Sequence, residues 1–94
     1  MPSLSLSRRR LQLGLQALDA RLPQHAATIR RLVMESRAFR DLVLDFTDAQ
    51  LALDRWEKHE VLRDESRVAE YRGLVIDLAG EIRALAKRAS PHQA

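Results

Sequence analysis

Residues 39–85 read FRDLVLDFTDAQLALDRWEKHEVLRDESRVAEYRGLVIDLAGEIRAL, and two apolar stripes mirror each other about its polar middle. The first is Phe39, Leu42, Phe46, Ala49, Leu53 and Trp56. The second is Val68, Tyr71, Val75, Leu78, Ile82 and Leu85. Both step by alternating threes and fours, the spacing that puts side chains on one face of an α-helix. Folding the chain back near Leu62 sets Trp56 beside Val68, Leu53 beside Tyr71 and Phe39 beside Leu85. That is the pattern of an antiparallel helical hairpin, with helices at about 37–58 and 64–88. A 3-4 spacing is palindromic, so the equal length of the stripes carries more weight than their register.

A rival is one helix of about 50 residues pairing as a long coiled coil, since Glu57 to Arg67 contains no Gly, Pro or Asn to turn the chain. The phase of the stripe argues against it. Continuing from Trp56, the next heptad positions are Glu60 and Arg63, both charged, whereas Val61 belongs to the second stripe. A hairpin with Asp64 or Ser66 capping its second helix is therefore expected.

Working outward, Leu11, Leu15, Leu18 and Leu22 form one stripe, predicting a helix over about 5–22 that starts near Leu4 to Ser7. Pro23 ends it and suits the first position of a second, short helix over about 24–34, with Ala26, Ile29 and Val33 inward. Ser36 can cap the third helix, although helices two and three could also run together. Lys87 and Arg88 suit the last turn of the fourth, which stops near Ser90 and Pro91. The expected fold is all-α and bundle-like: a single helical domain over 1–94, with frayed tails at 1–6 and 90–94. The hairpin alone is marginal. Either the first two helices or a second chain must complete its core.

Composition agrees. A chain of 94 residues is one domain, and three Gly and three Pro are too few for a many-turned β-protein. No apolar run approaches the length of a membrane span. With no cysteine there is no disulfide, thiolate nucleophile or cysteine metal site, which fits a cytoplasmic location. The net charge of +3 hides an asymmetry: residues 1–40 hold eight Arg against Asp19 and Glu35, and residues 41–94 hold eight Lys or Arg against eleven acids. A basic front and an acidic rear can pack on each other, within or between chains.

Catalytic chemistry has little to build on. His25, His59 and His92 lie far apart, no Glu-x-x-His pair exists for a di-metal bundle, and no Gly-rich loop could cradle a phosphate. No enzyme activity, metal or cofactor is expected. Three surface features remain. Asp41, Asp45 and Asp48 form an acidic ridge opposite the first stripe. Arg8-Arg9-Arg10 and Arg30, Arg31, Arg37 and Arg40 are basic groups. If one helix ran through Ser36, Arg30, Arg37 and Arg40 would share a face able to meet nucleic-acid phosphates or an acidic partner. Finally Ser66, Ala69, Gly73, Gly80 and Ala84 line up opposite the second stripe, with Ile76 at the edge, as a candidate helix–helix seam. The Arg-, Ser- and Leu-rich N-terminus also has the composition of a transit peptide or membrane-surface helix.

The segments Ile29-Arg30-Arg31-Leu32, Phe39-Arg40-Asp41-Leu42, Arg55-Trp56 and Glu70-Tyr71-Arg72-Gly73-Leu74 give residues 23–88 a resemblance to small bacterial helical proteins, similar in general look to the YdcH-like short hairpins. The Lys-rich Leu-Lys-Asp-Glu ending of that family is absent. The resemblance implies a hairpin and no activity. The expected function is protein–protein interaction, as an adaptor, regulator or assembly component, through a homo-oligomer (dimer favoured) or another helical protein. A nucleic-acid-associated protein using the Arg-rich half is the alternative.

Overall fold

The computed structural model describes residues 2–59 and 64–90. Four helices follow in order: α1 Pro2–Arg21, α2 Ala26–Glu35, α3 Arg37–Lys58 and α4 Glu65–Ala89, with a single 3₁₀ turn at Pro23–His25 between the first two. The described residues contain no strand. The all-α, bundle-like class is as expected. Residues 60–63, in the stretch where the turn is expected, and residues 91–94, where a frayed tail is expected, lie outside the described residues.

Each boundary has a local cause. α1 begins at Pro2, ahead of the expected start, because proline is preset for a first helical position that needs no N–H. Leu22 closes the helix by donating its N–H to the Leu18 carbonyl at 2.6 Å. Pro23 then opens the 3₁₀ turn, so α2 starts at Ala26 rather than at Gln24. Helices two and three do not run together: Ser36 is extended, and its Oγ accepts the Phe39 N–H at 3.1 Å. Asp64 caps α4, accepting from the N–H groups of Ser66 and Arg67 and from Ser66 Oγ. The single long helix is thereby excluded.

α3 is the central element, packed against α4 on one side and α1 on another, with α2 touching all three. Arg72 reaches Glu57 at 3.1 Å and the Arg67 guanidinium lies 5.8 Å from the Trp56 ring centroid, which joins the end of α3 to the start of α4 as an antiparallel hairpin requires. Seven of the stripe residues, Phe39, Phe46, Ala49, Leu53, Val68, Val75 and Ile82, are buried as expected. Leu42, Trp56, Tyr71, Leu78 and Leu85 are only half-buried at the edge of the core. The core has shifted sideways on each helix, taking in Val43 and Thr47 on α3 and Ala79 and Ala86 on α4.

The shift has a cause in α1. Leu18 and Leu22 join Ile29 and Val33 of α2 in the same apolar cluster as Phe46 and Ile82, so the core closes within one chain. To reach it, α1 crosses α3 at Gly14. A Cβ there would overlap Thr47 Oγ1 and lie 3.3 Å from Val43 Cγ1 and 3.4 Å from the Val43 carbonyl oxygen. Thr47, 2% exposed, satisfies its hydroxyl by donating to that carbonyl at 2.9 Å.

Candidate functional site

The arginines of the expected basic ridge do not form one. The break at Ser36 separates the faces that a continuous helix would align. Arg30 forks onto Asp19 of α1 at 2.5 and 2.7 Å, bracing α1 against α2 across the Pro23 corner. That hydrogen bonding holds the Asp19 carboxyl below its usual pKa and raises the guanidinium's. Arg31 donates to the Ala89 carbonyl at 2.9 Å, and Arg40 to the Val33 carbonyl at 3.2 Å. Both satisfy carbonyls in the last turn of a helix, where no intrahelical donor remains. Of the four, Arg37 alone has no partner among the described residues. Three expected binding residues are fold clamps.

The acidic ridge is only partly engaged. Arg10 of α1 forks onto Asp48 at 3.0 and 2.6 Å, an instance of the basic front meeting the acidic rear. Asp41 and Asp45 stay exposed, and Asp45 and Asp48 line one cleft with Ala49 of the first stripe, so the ridge borders that stripe and does not stand opposite it. The small-residue line on α4 is exposed throughout, and no atom lies within 4 Å of a Cβ built on Gly73 or Gly80. Among the described residues, no helix covers that seam. The close approach expected there occurs at Gly14 instead.

A long trough between α3 and α4 emerges from the half-buried residues. A cleft of about 610 Å³ is lined by Leu32 and Ser36 at the α2 corner, by Ala38, Phe39 and Leu42, and by Glu81, Leu85, Arg88 and Ala89. A second, of about 430 Å³, is lined by Asp45, Asp48, Ala49, Ala52, Tyr71, Leu74 and Leu78. The two share one side of the hairpin. Tyr71, Leu78 and Leu85 are seven apart, as are Leu74, Glu81 and Arg88, and on α3 Ala38, Leu42, Asp45, Ala49 and Ala52 alternate fours and threes. Laid end to end along α4, the two clefts extend from Tyr71 to Ala89, about 27 Å at ~1.5 Å per residue, the length of about five helical turns. Its floor is apolar, and Leu74 is 44% exposed.

The sequence does not reveal the trough, because Leu42, Tyr71, Leu78 and Leu85 of its floor lie on the same stripes as the core residues. One signal was present: Phe39, Leu42, Val43, Phe46, Thr47, Ala49 and Leu53 span a wider arc than one neighbouring helix can cover. Among the described residues, no cluster of three His, Cys, Asp or Glu could hold a metal, and no helix is long and apolar enough to cross a membrane. No protein-family model matches this chain, and no curated protein or solved structure does so either.

Proposed function

We propose that this chain is a small non-catalytic interaction protein, an adaptor or regulatory component, that receives a helix of a partner protein in the α3–α4 trough. The observation that carries this is the row of half-buried Leu42, Tyr71, Leu78 and Leu85, with Leu74 exposed beside it, over about four turns of helix. A helix laid on such a floor would supply anchors at i, i+3 or i+4, and i+7. Since α1 and α2 complete the core within one chain, folding gives no reason to require a dimer.

The test uses an 18-residue helical peptide carrying a Leu stripe and Gln at its other positions, with binding followed by calorimetry. Binding that is lost in Leu74→Glu, with the circular dichroism of the protein unchanged, supports the docking reading. Binding that survives this change, or is absent from the wild type, counts against it. The nucleic-acid alternative rests on Arg8, Arg9 and Arg37, exposed and without partners among the described residues. It requires binding that falls steeply with salt and weakens on Arg37→Glu.

A further inference from the structure

We infer that the trough selects a basic amphipathic helix, one whose apolar stripe is flanked by Arg or Lys. This rests on the docking reading above and names the chemistry of the occupant. Among the charged residues lining the two clefts, Asp45, Asp48 and Glu81 are carboxylates and Arg88 is the cation. One helical turn from these lie further exposed acids on the same faces: Asp41 on α3, and Asp77 on α4, four residues before Glu81. The apolar floor is therefore bordered by acid on both helices, and Asp41, Asp45, Asp77 and Glu81 have no ion-pair partner among the described residues. Carboxylates flanking an exposed apolar strip are complementary to cations flanking an apolar stripe, and they repel an acidic or like-charged surface.

The molecule already contains one pairing of this kind. α1 carries Arg8, Arg9, Arg10 and Arg21 against one acid, Asp19, and docks its Leu stripe on α3. In doing so it places the Arg10 fork on Asp48, a residue that also lines the trough. The external helix would repeat on one side of α3 what α1 does on the other. A second copy of this chain fits poorly. Trough against trough would face two acid borders across a symmetry axis, and the Leu stripe of α1 is committed within its own chain.

Three 18-residue peptides with the same Leu stripe and flanks of Lys, Gln or Glu are titrated into the full chain, alongside light scattering of the chain alone. The Lys peptide should bind tightest and the Glu peptide weakest. Its advantage should shrink as salt rises from about 0.05 to about 1 M, where the screening length falls to ~3 Å. Asp45→Lys and Glu81→Lys should each weaken the Lys peptide by about 2–5-fold and strengthen the Glu peptide. Equal binding of all three, insensitive to salt, overturns the charge selection and leaves docking standing. No binding by any peptide overturns both. In that case a dimer split by Leu74→Glu would make a second copy the occupant.

Discussion

Three glycines in helices have opposite physical meanings. At Gly14 an added methyl meets Thr47 Oγ1 and the Val43 backbone, and β-branched Thr47 has little rotamer freedom to yield. Gly14→Ala should therefore cost about 1–3 kcal/mol of overpacking, offset only in part by the better helix former. At Gly80 the same methyl meets open space, so Gly80→Ala should stabilise by about 0.5–1 kcal/mol. Urea unfolding of the two variants should move the midpoint in opposite directions. A Gly80→Ala variant that dissociates an oligomer would instead mean that the exposed seam has a partner. Ser36 is a second single-residue control point. Ser36→Ala removes the acceptor for the Phe39 N–H and should cost about 1 kcal/mol, whereas Ser36→Asp should retain stability.

At the scale of elements, the helix starts and the α1–α3 crossing determine what the hairpin can bury. The Asp64 carboxyl, which starts α4, is held below its usual pKa first by the Ser66 hydroxyl and then by the Arg67 N–H. A carboxylate with a depressed folded pKa stabilises the fold above its unfolded pKa, and that contribution disappears as pH falls through the folded value. Asp64 and the Arg30-bound Asp19 thus predict declining stability below about pH 4. Asp64→Ser keeps a cap acceptor that does not titrate, so its stability should fall less steeply with acid than that of the wild type. Thermal melts at a series of pH values compare the two. The contribution of α1 is tested by Leu18→Ala, since Leu18 is 0% exposed in the shared cluster. The loss should be about 2–5 kcal/mol in a single cooperative transition. A separate early transition for α1 would show that it is an appendage.

The whole molecule is thin. Its extents are 49 × 37 × 19 Å, and its radius of gyration of 14.4 Å exceeds the roughly 12 Å of a compact domain of this length. With packed helices about 8–10 Å apart, the thinnest dimension leaves little depth beyond two layers, so one side of the α3–α4 pair stays uncovered. The trough is a consequence of that shape. X-ray scattering and solution mass at low and high salt test it together. A monomer in both conditions with a radius well above that of a compact sphere is expected. A dimer in both would direct attention to the trough or the α4 seam as a self-contact.

Periodicity, caps and phase determined the helices: the doubled 3-4 stripe, Pro23, Ser36 and Asp64 act within a few residues of themselves, so their effects can be read along the chain. The choice of core line could not be read that way. Leu42 and Val43, or Leu78 and Ala79, are neighbours on their helices with comparable claims to burial. On α3 the choice depends on where α1 crosses, at the missing side chain of Gly14 beside Val43 and Thr47, and on α4 it depends on how α2 and α3 pack against it. The roles of the arginines were set in the same way. Arg30, Arg31 and Arg40 resemble any solvated basic face in sequence, and only folding brings them to Asp19 and to the carbonyls of helix ends 58 and 7 residues away, at Ala89 and Val33. Local hydrogen bonding and helical period belong to the sequence. The allocation of apolar surface between core and trough belongs to the tertiary structure, because it is a competition between distant helices for the faces of α3 and α4.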